Sequence, residues 1–241
     1  MRRCGCGIRP IRQNDPVTLE FNTHGAAGAR VAAELRDAIL AGEYRPGTRI
    51  RQEHVAERHG ASRVPAREAL RLLEAEGLVT VVANTGAWVA SLNLRECEEI
   101  YQVRERLEPL LLRYNVPLLD EAGIDRLEQL ATEMENSSDI EAFLRLDREF
   151  HLSCYTAADT TMIGDTVLRL WNRTQPYRRA YTSVFRSEGD RSAHHEHHLL
   201  VSAIRRRDAD EAEQVLALHI RRTRLELARH PEIFDPVADA H

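Results

Sequence analysis

The chain has 241 residues, 43% apolar and 29% charged, with a formal net charge of −5 at pH 7; that suits one large domain or two ordinary ones, each with a real core. No run of about 18 apolar residues occurs, so no membrane-spanning helix is expected, and the opening MRRCGCGIRP lacks the apolar stretch of a secretory signal, which makes the cytoplasm the default location. Cys4, Cys6, Cys97 and Cys154 form no C-x-x-C pair, which argues against a zinc ribbon.

The charge is unevenly spread. Residues 1–92 hold 13 Arg against 10 acids, whereas 93–241 hold 20 Arg against 28 acids, so only the first part is suited to a polyanion. All basic residues are arginine, which reads as a coding bias and carries no functional argument.

In chain order, residues 1–24 show no period and are expected to be a mobile tail. Val31, Leu35, Ile39 and Leu40 share one helical face, ended by Gly42 and the turn Arg45-Pro46-Gly47. A short helix over about 52–59 stops at Gly60. Ser62 is placed to cap the next helix, which runs to about Glu76 and ends at Gly77. The β-prone runs 78–83 and 87–92 flank Asn84-Thr85-Gly86 and read as a hairpin. A short helix, a tight turn and a second helix make a helix-turn-helix, and the hairpin adds a wing. Arg63, Arg67 and Arg71 fall at i, i+4 and i+8, one stripe on the second helix, suited to guanine edges in a major groove. Ser62 can also donate to phosphate, and Gly86 lets the wing backbone approach DNA. The competing reading is a solvated face whose arginines are neutralised by Glu68 and Glu74.

Beyond Asn93 the pattern is helical, with helices near 94–115, 120–135, 139–158, 160–182, 189–206 and 208–229, and Pro109 is expected to kink the first. The expected fold is therefore mostly α: a winged helix-turn-helix over 25–92, an antiparallel all-helical bundle over 93–232 and a tail over 233–241. Asp147 and His151, four apart, share a helix face. His197 and His219 each lie 11 residues from Asp208, roughly 16 Å along their helices, so an antiparallel hairpin sets them at one level. One carboxylate and three imidazoles suit Zn²⁺ or Ni²⁺. His194, one turn from His197, is the nearest rival ligand, and with 11 His in the chain ordinary surface histidines are the plain alternative.

The runs Leu35-Arg-Asp-Ala-Ile-Leu-Ala-Gly, Arg45-Pro-Gly-Thr-Arg-Ile and Ser62-Arg-Val-Pro-Ala-Arg-Glu-Ala-Leu-Arg resemble the DNA-binding domain of GntR-family regulators over residues 30–90. The resemblance implies that Ser62, Arg63, Arg67 and Gly86 meet DNA; Val64, Ala66 and Glu53 depart from common family residues, and no contact is carried over to Glu53. Asp147-Arg-Glu-Phe-His151 and Glu196-His197 through His219-Ile220 resemble the FCD sensing domain of the FadR-type branch, in its VanR-like six-helix version, over about 95–228. That version binds a metal through one Asp and three His, and Arg104 matches an Arg that often faces the ligand cavity. Asp159 stands where many members have Asn, a difference expected to matter only as a cap. The resemblance implies a homodimeric, DNA-binding transcriptional regulator, commonly a repressor, controlled by a small carboxylate effector at the metal and Arg104. A metallohydrolase and a ligand-free dimeriser are the alternatives. An enzyme would need a general base, and Glu149 points off the Asp147–His151 face. Arg104 also has a plain reading, a surface pair with Glu108 at i+4.

Overall fold

The computed structural model describes residues 25–83, 85–188 and 191–234, with 184–188 as backbone only. The expected tail over 1–24 lies outside the described residues.

Apolar residues at helical spacing bury one face of α1 (Ala26–Leu40), through Val31, Ala32, Leu35 and Ile39. The turn after it leads to β1 (Arg49–Ile50), α2 (Gln52–Arg58) and α3 (Arg63–Ala75). The α3 helix ends in a Schellman turn: Leu78 N–H donates to Leu73 O at 2.9 Å, and Gly77 takes φ 78°. Ser62 stands at the N-cap of α3 but makes no capping hydrogen bond; Gln52 instead donates from Nε2 to Arg63 O at 2.7 Å. The hairpin comprises β2 (Val79–Val82) and β3 (Gly86–Val89), pairing Val82 with Gly86 and Thr80 with Trp88. β1 adds to β3, giving an antiparallel sheet of order β1-β3-β2. β1 was not expected, because two residues show no period; it forms where Ile50 buries opposite Ala87.

The remainder is helical: α4 (Leu94–Asn115), α5 (Glu121–Asn136), α6 (Ile140–Ser153), α7 (Ile163–Glu188), α8 (Ser192–Arg205) and α9 (Ala209–Leu227). Asn93 and Glu96 form a reciprocal capping box on α4, and Asp120, Asp139 and Asp208 cap α5, α6 and α9. α4 continues through Pro109 as helix. α6 stops five residues before its expected end, and α7 runs through Pro176 to Glu188. Ile233 and Phe234, expected in a terminal tail, instead pack on the bundle, where Phe234 stacks on Tyr177 with centroids 4.7 Å apart; 235–241 lie outside the described residues.

Two separate apolar cores result, one in the winged domain and one in the bundle. They meet along α7. Tyr177 Oη donates to Leu92 O and accepts from Leu92 N–H at the junction. Arg36 of α1 grips the buried Glu76 with two hydrogen bonds of 2.6 and 2.5 Å. No described helix is long and apolar enough to cross a membrane.

Candidate metal centre and nucleic-acid interface

Asp147 and His151 occupy successive turns of α6, while His197 and His219 face each other across the α8–α9 hairpin. All four are buried, none more than 5% exposed. One ring nitrogen from each of His151, His197 and His219 lies within 4.8 Å of the others, and Asp147 Oδ1 is 3.8 Å from Nε2 of both His151 and His197. The equal-level spacing of His197 and His219 holds: their ring centroids are 4.8 Å apart. His194, the nearest rival, packs edge-on against Phe143 outside this triad, and His198 turns away to Glu135.

Both ring nitrogens of His151 and of His197 are buried without a hydrogen-bond partner among the described residues. Such groups are costly unless satisfied. Burial, and after it the neighbouring imidazoles, push both histidines well below their ordinary pKa, so they are held neutral with free lone pairs. A tetrahedral set at 2.0–2.1 Å has donors about 3.3 Å apart, so donor pairs now 3.8 Å and up to 4.8 Å apart would close by about 0.5 to 1.5 Å on a divalent ion. The donor chemistry fits a borderline metal.

A supporting shell is present that the sequence pattern did not reveal. His219 Nδ1 is 2.7 Å from Glu196 Oε2; a carboxylate only accepts, so Nδ1–H donates and Nε2 is left for the cluster. Arg222 clamps Glu196 from the other side at 2.8 and 2.6 Å. Burial raises the Glu196 pKa, but the hydrogen bonds from His219 and Arg222 outweigh it and hold the carboxyl down at about 2. Arg178 of α7 donates to Asp147 Oδ2, leaving Oδ1 toward the histidines, and its Nε is buried without a partner.

Arg104 lies inside the bundle, 1% exposed, and so is not the surface residue of the plain reading. Its charge is nonetheless already matched: Nε donates to Glu108 and Nη1 to Thr174 at 2.8 Å. Glu108 also accepts from Tyr155 Oη at 2.8 Å and Trp171 Nε1 at 3.0 Å. The cation that touches a cluster residue is Arg178, which a search for Arg on the first bundle helix could not find. Both guanidinium groups lie over Trp171, whose ring contacts His151 at 5.1 Å. Glu149 is tied to Arg126 at 2.6 Å and does not serve the cluster as a base.

On the winged domain, Ser62, Arg63, Arg67 and Arg71 are all exposed. Among the described residues these arginines form no ion pair: Glu74 accepts from the backbone N–H of Val81 at 3.0 Å, and Glu68 packs beside Gly25 and Gly28. The stripe therefore keeps its positive charge, against the reading of a neutralised face. Gly86 opens the wing strand at φ 142°, a conformation that side chains disfavour. Arg49, not anticipated, stacks on Trp88 and donates to Thr85 O at 2.6 Å, placing one more cation at the wing.

Residues 27–89 match the profile of bacterial regulatory proteins of the gntR family, and residues 99–222 match the FCD domain. The HTH-type transcriptional regulator YdhC of Bacillus subtilis is 34% identical over 49% of the chain and 54% of its own length. The gluconate operon transcriptional repressor of the same organism is 31% identical over 63% of the chain and 61% of its own length. The chain thus spans between half and two thirds of these relatives. The solved structure of Escherichia coli McbR/YncC superposes with a TM-score of 0.75 at 22% identity, covering 86% of this chain and 99% of that one.

Proposed function

Because the chain belongs to the gntR family of bacterial regulatory proteins and carries an FCD domain, we propose that it is a repressor whose hold on operator DNA is set by a small carboxylate bound at a metal centre. The family consists of DNA-binding transcriptional regulators, not enzymes, and its members commonly dimerise. The metallohydrolase reading therefore falls away. Repression is favoured by the name of the gluconate operon relative.

The observation that carries the proposal is the convergence of unpartnered, neutral imidazoles beside Asp147 in a closed interior. Asp147, His151, His197 and His219 would hold Zn²⁺ or Ni²⁺, and the ion would supply a Lewis-acidic position for an oxygen ligand. Arg178 and Arg104 are both already paired, with Asp147 and Glu108; Arg178 is the better placed for the effector's carboxylate because it touches a cluster residue. Arg63, Arg67 and Arg71 of α3, with Ser62, would read the operator, while Gly86 at the wing approaches its backbone. A two-fold dimer would place one α3 on each half-site. Two separate cores, one ending at Val89 and the other beginning at Leu92, support a division into a winged domain and a sensing bundle near residue 92, and a cytoplasmic location fits a DNA-binding protein.

The test is fluorescence anisotropy of the protein on its own promoter, in the zinc-loaded and the chelated state, against a panel of hydroxy acids, sugar acids and dicarboxylates. Release of DNA by an acid only in the loaded state supports the reading. Equal DNA affinity in every condition removes effector control.

A further inference from the structure

The winged domain rests on α7, which also walls the histidine cluster and packs against α6. The contacts come from residues next in sequence to those that face the cluster. On α6, Asp147 points at the histidines while Arg148 donates to Asn172 Oδ1 at 2.6 Å. On α7, Trp171 packs on His151 while Asn172 donates from Nδ2 to Glu76 O at 2.9 Å. About two turns later Arg178 holds Asp147, while Arg179 donates to Leu40 O at 2.9 Å and packs on Gly42. Successive helix residues point about 100° apart, so each pair on α7 spans the wall between cluster and winged domain in a single step, and the α6 pair reaches the winged domain through Asn172.

Arg179 reaches the end of α1, while Asn172 reaches the end of α3, the element that carries the arginine stripe. Glu76 is the C-cap of α3, 3% exposed, and is locked to α1 by Arg36. Asn172 therefore joins α6 to the end of α3 through its one amide. Arg148 keeps a second buried guanidinium nitrogen, Nη1, without a partner among the described residues, so this joint is not fully satisfied in the arrangement seen. An unsatisfied polar contact between packed elements favours a second arrangement of the same parts.

We infer that Arg148, Asn172 and Glu76 form the joint through which occupation of the histidine cluster is passed to α3. Closing Asp147 and His151 of α6 and His197 and His219 of α8 and α9 onto an ion shifts α6 toward α8 and α9, because the donors start wider apart than a coordination shell permits, and α7 is tied to α6 through Arg178–Asp147 and Arg148–Asn172. A close-packed interior has little free volume to absorb such a shift locally. The displacement therefore passes through Arg148 and Asn172 to the last turn of α3. The inference rests on reading the cluster as a metal centre.

Amide hydrogen exchange of the full chain with and without Zn²⁺ tests it, alongside zinc uptake measured by chelator competition. In wild type, zinc should change exchange in the segment 72–78 by roughly fivefold or more, the low end of ordinary coupling between two sites. Asn172→Ala and, separately, Arg148→Ala should take up zinc normally and lose that response. A purely structural role would raise exchange equally in both states and leave the zinc-dependent difference in place. Zinc uptake by wild type without any change over 72–78, or a response that persists in both variants, overturns the joint alone. No zinc uptake by wild type overturns the metal centre, and the joint with it.

Discussion

Replacing Glu196 with Gln should weaken zinc binding by roughly 10–100-fold although Glu196 is no ligand. Glu196 takes the Nδ1 proton of His219 at 2.7 Å and is itself held by two hydrogen bonds from Arg222. This fixes the tautomer with the Nε2 lone pair toward His151 and His197. The amide keeps the shape but loses the charge, and it can turn its nitrogen toward Nδ1 and so favour the wrong tautomer. A hydrogen bond to a charged partner contributes about 1.5–3 kcal/mol. The Glu196 side chain is 22% exposed, which places the effect toward the lower end, and about 1.4 kcal/mol corresponds to tenfold in affinity. Competition against a chromogenic chelator at pH 7.5 measures it, with His219→Ala as the variant that should lose most of the metal. Zinc affinity in Glu196→Gln within about twofold of wild type, with His219→Ala impaired, would refute the claim that the carboxylate orients the ligand.

Arg63→Ala and Arg67→Ala should each weaken operator binding by roughly 1–3 kcal/mol if they read bases, and gel shifts that show no change in either would remove α3 as the recognition helix. The metal-free chain should lose stability on acidification. His151 and His197 are depressed in the folded state and titrate near 6.5 when unfolded, so the unfolded chain binds more protons below that pH, at a cost of about 1.4 kcal/mol per pH unit for each. Urea midpoints in chelator that stay flat from pH 8 to 5.5 would contradict this. Light scattering of the purified chain should give a dimer, and a monomer at micromolar concentration with and without DNA would count against two-fold operator recognition.

Local rules made much of this protein legible before any coordinates. The 3.6 period marked the helices, Gly77 and Asn93 marked their ends, and four-residue spacing marked both the arginine stripe and the Asp147–His151 face. Even the His197–His219 pairing could be read, because two helices joined by a tight turn obey one-dimensional arithmetic about Asp208. Family resemblance added the roles of these residues. The sequence did not reveal features that depend on contact between distant elements. The two-residue β1 exists only where β3 offers it a ladder. Phe234 sits on the bundle because Tyr177 presents a ring there.

Arg104 and Arg178 show the same division at the site. The family resemblance favoured Arg104, whereas pattern alone gave it only a surface pair with Glu108. Its pairing with Glu108 follows from helical spacing, but the burial of that pair beside Tyr155, Thr174 and Trp171 follows from α7 and the turn after α6 closing on α4. Arg178 has no spacing relation to Asp147 and meets it only because α6 and α7 pack side by side. Periodicity determines which face of a helix a residue occupies. What that face meets, and so which carboxylate a buried arginine pairs with, is decided by packing between helices far apart in the chain.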